Sequence, residues 1–143
     1  MRRLLLGLGL AVSMLSAPVL AQQKTFVRED LQNSGVRLEE HFKKTYGPQA
    51  QGRSGAELRQ LGVTTMARDP RRATVVFATA ISVEPKAAGA WLGLVQALMK
   101  MEPKDSGERY RIRDQAVTAS YIAYQLTQSR AEEAQALALM GEA

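Results

Sequence analysis

Cysteine is absent from all 143 residues, and histidine and tryptophan occur once each. Without thiols no disulfide can staple the fold, and no thiolate is available as a nucleophile or a soft metal ligand. No cysteine stands beside an export cleavage site to be lipidated either. The single imidazole, His41, lies next to Phe42 and the Lys43-Lys44 pair. One imidazole without cysteine or a second histidine makes a poor transition-metal site, so His41 reads as a solvated or boundary side chain. No serine sits in a nucleophile-elbow context, and no glycine-rich phosphate loop occurs. Glu39-Glu40 and Glu132-Glu133 are paired acids, but neighbours on a helix diverge by about 100° and cannot face one substrate together. Catalytic residues, metal ligands and cofactors are therefore expected to be none. Nucleic acid is also an unexpected partner, because no basic motif interleaved with aromatics is present.

What is present begins with a leader. Met1-Arg2-Arg3 is a positive start, Leu4 to Leu15 is an apolar run, and Val19-Leu20-Ala21 places compact residues where a signal peptidase reads. The run is too short to span a bilayer permanently. Residues 1–21 are thus expected to form a cleavable signal peptide, cut between Ala21 and Gln22, with no integral membrane segment after it. The product is expected in the periplasm or secreted. Its net charge of +5 falls to +3 once Arg2 and Arg3 leave, with 17 Lys and Arg against 14 Asp and Glu. That bears on solubility more than on partners.

Residues 22–53 read as a lead, an amphipathic helix and a linker. Asp30 is a candidate N-cap, Leu31, Leu38, Phe42 and Tyr46 share one stripe, and Gly47-Pro48 closes the helix. Because it precedes the hairpins, this helix is expected to cover their first face. Ser54-Gly55-Ala56-Glu57 is a capping box, opening a helix with Leu58, Leu61, Val63 and Met66 as its apolar positions. Asp69-Pro70 starts the next helix, which carries Ala73, Val76, Phe77, Ala80 and Ile81 and stops before Pro85.

Ala73, Phe77, Ala80 and Pro85, followed by Trp91, Leu94 and Leu98, keep the intervals of a tetratricopeptide repeat running into its successor. Leu58, Leu61 and Thr65 recur as Trp91, Leu94 and Leu98, each 33 positions on, against a consensus period of about 34. After a break containing Pro103 and an Asp105-x-x-Glu108 capping box, a second partner helix is predicted over about Glu108 to Thr127. It has one stripe of Tyr110, Val117, Tyr121 and Tyr124 and another of Ile112, Ala116, Ala119, Ala123 and Leu126, so both sides can pack. Ser129-Arg130 is read as a turn into a third unit, where Leu137, Met140 and Gly141 repeat the positions of Trp91, Leu94 and Val95. The fold class is thus all-α, a tetratricopeptide-like stack of helical hairpins over 54–143 with its third unit truncated, an α-solenoid fragment behind a signal peptide.

In stacks of this kind the first helices of each pair line a concave face. By repeat position a partner-binding groove would be lined by Arg59, Val63 and Met66 with Leu92, Gln96, Met99 and Lys100. Methionines adapt to varied apolar partners, which suits a protein or peptide ligand. A basic edge is the second candidate. Arg68, Arg71 and Arg72 fall at the first interhelical turn, and Lys100, Lys104, Arg109, Arg111 and Arg113 around the second, where an acidic partner or anionic head groups could meet them.

Phe26-Val27-Arg28-Glu29-Asp30-Leu31, Ala90-Trp91-Leu92-Gly93-Leu94 and Ala119-Ser120-Tyr121-Ile122-Ala123-Tyr124-Gln125 resemble the N-terminal helical region of exported alpha-2-macroglobulin-family proteins of proteobacteria. In that family a downstream string of β-sandwich domains traps proteases, often with a reactive thioester. This chain has no cysteine, no thioester motif and no β domains, so the resemblance implies a leading fragment of a protease inhibitor, with the trapping chemistry elsewhere. The competing expectation is a free-standing periplasmic tetratricopeptide adaptor in envelope assembly or export. Neither is an enzyme.

Overall fold

The computed structural model describes residues 29–142, all-helical apart from short connections, with no strand among the described residues. The signal peptide, its cleavage point at Ala21 and Gln22, and the lead through residue 28 lie outside them. The chain divides into two units, Met1–Asn33 and Ser34–Ala143. Of the first, only residues 29–33 are described, and they are helical. Everything below concerns the second.

Helix α1 occupies 29–46, so Asp30 lies inside the helix and not at its cap. A 3-10 turn follows over Gly47–Ala50 with Pro48 in its first positions. Gln51 and Gly52 then take positive φ angles of 51° and 76°, a reversal that glycine accommodates without steric cost. Helix α2 spans Gly55–Met66 and begins as expected, with Ser54 Oγ accepting the Glu57 N–H at 3.2 Å. Helix α3 spans Pro70–Val83, capped by Asp69, whose Oδ1 accepts the Arg72 N–H at 3.1 Å. Helix α4 spans Ala88–Lys100 and helix α5 spans Ser106–Glu142. Asp105 caps α5, accepting the Glu108 N–H at 2.7 Å.

The packing follows small residues. α2 lies against α3, α3 against α4, α4 against α5, and α2 also touches α4. Phe77 of α3 is 1 % exposed, and its ring fits between two glycines: a Cβ at Gly62 of α2 or at Gly93 of α4 would run into it. The glycines are what let three helices close on one aromatic ring. Trp91 of α4 is equally buried, donates its indole N–H to the Pro85 carbonyl at 2.7 Å, and meets the Phe42 ring of α1 at a centroid distance of 6.1 Å. A buried indole needs such an acceptor.

Three expectations are corrected here. On α2 the buried positions are Gly55, Leu58, Gly62 and Met66, while Leu61 and Val63 are exposed; the face turned inward is the one whose Gly62 admits Phe77. Helix α1 reaches the second hairpin: Phe42 packs on Trp91, and Gly35 sits against the Ile122 side chain of α5. The turn at Ser129-Arg130 is absent, because α5 runs unbroken for 37 residues. Of its two stripes only one is covered: Ala116, Ala119 and Ala123 are buried, whereas Tyr110, Val117 and Tyr124 are more than half exposed.

Candidate functional site

Two connections meet at one end of the hairpins. Arg71, in the first turn of α3, grips Glu108 of α5 with both guanidinium nitrogens, Nη2 to Oε1 at 2.6 Å and Nη1 to Oε2 at 3.1 Å. The same Nη2 donates to the Glu102 carbonyl, and the Lys104 N–H donates to Glu108 Oε1 at 3.2 Å. This planar fork ties the α4–α5 connection to α3. The Arg71 hydrogen bonds, helped by the Lys104 N–H, hold the Glu108 carboxyl down at about 2, and the same pair raises the Arg71 guanidinium. Of the residues expected on the basic edge, Arg71 is thus held against the α4–α5 connection and is neutralised by Glu108. Arg68, Arg72, Lys104, Arg109, Arg111 and Arg113 are exposed.

Because Glu108 releases its proton more readily in the folded chain than in the unfolded one, acid favours unfolding. The stability it contributes is complete above the ordinary glutamate pKa of about 4.3 and is lost as pH falls through about 2. Glu108→Gln is expected to flatten that acid limb and leave the slope above pH 5 unchanged, read as Tm against pH.

The seven residues expected to line a groove on α2 and α4 are only partly brought together. Val63, Leu92, Gln96, Met99 and Lys100 are exposed, and no part of α1 covers them. Arg59 is engaged instead, its Nη1 2.8 Å from Glu84 Oε2 at the end of α3. Met66 is corrected outright: at 8 % exposure it belongs to the core, because the α2 face that bears it is the one turned to α3. Met66→Ala is expected to cost about 2 kcal/mol, while Met99→Asp, at 71 % exposure, should change stability by no more than about 0.5 kcal/mol. Urea titration of both variants checks the assignment.

The larger concavity lies one helix further on. A groove of about 620 Å³ opens between the C-terminal half of α4, the Met101–Pro103 segment and the first turns of α5. Val95, Leu98, Ile112 and Ala116 form its floor, and Met99, Val117, Arg109 and Arg113 its rim. Of the expected site residues it gathers Met99, Arg109 and Arg113. It adds Val95, Met101, Pro103, Ile112, Val117 and Ser120, which sequence reasoning did not place in a site. The signal on α5 is Ile112 and Val117, one from each apolar stripe, which periodicity alone assigns to packing. An apolar floor between two helices with two guanidinium groups at the rim offers an apolar surface beside positive charge. It can accept an apolar helical side and orient it through charge.

A smaller cleft of about 280 Å³ separates α1 from α5 and is lined by Ser34, Arg37, Leu38, His41, Asp114, Gln115 and Thr118. It collects the residue types of a nucleophilic triad, but no hydrogen bond joins any two of Ser34, His41 and Asp114. His41 Nδ1 faces the Thr45 hydroxyl at 3.4 Å, and Ser34 Oγ accepts from Arg37. Among the described residues no three His, Asp or Glu side chains converge as a metal site, and no helix is long and apolar enough to cross a membrane. Comparison with protein families, with curated proteins and with solved structures finds no match to this chain.

Proposed function

We propose that this chain is a non-catalytic protein-interaction domain of an exported protein, built from tetratricopeptide-like hairpins. The observation that carries the reading is the groove between α4 and α5, which leaves Met99 and Val117 exposed over an apolar floor. Side chains that cost free energy to leave in water persist at a surface where a partner covers them. The order of helix contacts supports the repeat assignment: α2 with α3, α3 with α4, α2 with α4, α4 with α5. That order is the one expected of stacked hairpins.

Its test is a cross-linking comparison in periplasmic extract. The wild-type chain should capture a discrete partner that the folded Val117→Asp variant does not; identical capture by both overturns the groove as the binding face. Export is tested separately by sequencing the mature N-terminus, expected to be Gln22.

We further propose, from the sequence likeness alone, that the domain leads an alpha-2-macroglobulin-like protease-inhibitor protein. The expected result is a reading frame that continues past Ala143 into long β-rich sequence. A stop codon at that point removes this placement and leaves a free-standing periplasmic adaptor.

A further inference from the structure

Helix α5 is about 55 Å long at 1.5 Å per residue, whereas α4 beside it is about 20 Å. Among the described residues, the last half-buried position along α5 is Leu126. Thr127, Gln128, Ser129, Arg130, Ala131, Ala134 and Ala138 are all exposed, so every described position of the helix beyond Leu126 stands in solvent. By sequence the distal third carries Leu137, Leu139 and Met140 among alanines, with Glu132, Glu133 and Glu142. The uncovered groove at the other end of the same helix is apolar with Arg109 and Arg113 at its rim. One chain thus carries, by sequence, an acid-flanked apolar segment and, by structure, a basic-rimmed apolar groove, and an unbroken α5 keeps the first from reaching the second.

We propose that two copies of this chain pair with their α5 helices antiparallel, the distal segment 131–142 of each seated in the α4–α5 groove of the other. The proposal rests on reading that groove as a helix-binding face. A two-fold arrangement gives the groove of each copy an occupant and the distal segment of each copy a seat at once. It sets the arginine-bearing start of each α5 against the glutamate-bearing end of its mate, and the exposed Tyr124 falls near the axis between them. Two such seats per dimer supply a pair of separate apolar contacts, and like charges would oppose the parallel alternative.

The experiment uses light scattering behind size exclusion, on the whole chain of 15.7 kDa at concentrations across the micromolar range. A concentration-dependent species of twice the chain mass is expected. One variant carries Arg109→Glu and Arg113→Glu; a second carries Glu132→Arg, Glu133→Arg and Glu142→Arg. Each alone sets like charges at both seats and should weaken self-association at least tenfold. Mixed, the two variants match at both seats, so a mixed dimer of wild-type affinity should form. That recovery also shows that both variants fold.

A monomer at every concentration overturns the proposal, as does a dimer indifferent to both variants, or a mixture that does not recover. Cross-links from the distal segment to the groove of the same chain would overturn it in favour of closure within one molecule. If the chain is monomeric yet a foreign amphipathic helix with acidic flanks still binds the groove and Val117→Asp abolishes that binding, the pairing falls and the interaction reading stands.

Discussion

Replacing Trp91 by alanine is expected to cost about 3–5 kcal/mol, which is the range for deleting a large buried aromatic. The indole is 1 % exposed and touches Phe42 of α1, so its removal leaves a void where the two rings join α1 to α4. It also strips the Pro85 carbonyl of the donor it holds at 2.7 Å. A domain of this size has a total stability of only about 5–15 kcal/mol, so the variant is expected to be largely unfolded at growth temperature or to melt far below the wild type. Trp91→Phe separates the two contributions. It keeps an aromatic ring against Phe42 and loses the hydrogen bond, which should cost about 1–3 kcal/mol for a buried acceptor left unpaired. Denaturant titration read by helical circular dichroism measures both. A Trp91→Ala variant within 1 kcal/mol of wild type would mean that the α1–α4 contact contributes little to the fold.

Much of this architecture is legible in the residues, and where it is not the reason is physical. Helices α2, α3 and α4 follow from capping chemistry that acts locally: Ser54, Asp69 with Pro70, and Pro85 before Trp91 each act within one turn of themselves. Buried faces are harder to read, because apolar periodicity registers large side chains and is silent on absent ones. Gly62 determines the inward face of α2 by making room for Phe77, and a count of leucines and valines therefore put Val63 and Leu61 in its place. The turn at Ser129-Arg130 was inferred from repeat register. Between Glu108 and Met140 the chain has neither glycine nor proline, so nothing in that stretch obliges a helix to stop. The partner of α1 was illegible for a further reason: an amphipathic stripe reveals that a helix docks, not which of several apolar surfaces it docks on. The α4–α5 groove was missed on the same account. Arg109 and Arg113 were read as an edge, and the stripe beside them as core.

Gly93→Val is expected to destabilise the chain by about 3 kcal/mol, the upper end for forcing side-chain volume into a packed interior. The intrinsic preference runs the other way. Glycine in mid-helix is worse than alanine by about 0.8–1.0 kcal/mol, so propensity alone would have Gly93→Ala stabilise α4. Sterics decide the sign. A Cβ on Gly93 would collide with Cε1, Cζ and Cδ1 of Phe77. That ring has little room to retreat, because the Gly62 backbone of α2 also lies against it, so close that a side chain there would come within 2.7 Å of Cζ. Gly89, four residues earlier on the same helix, provides the contrast: its Cβ would meet only Arg59 Cδ at 3.5 Å, an ordinary contact on an exposed position. Gly89→Ala should therefore be neutral or stabilising by up to about 1 kcal/mol. Combining Gly93→Val with Phe77→Leu tests the mechanism, since the smaller side chain relieves the collision. The double variant should be less destabilised than the sum of the two singles by more than about 0.5 kcal/mol, the signature of coupled neighbours. Strict additivity would show that the loss at Gly93 arises in the helix backbone and not in the clamp around Phe77.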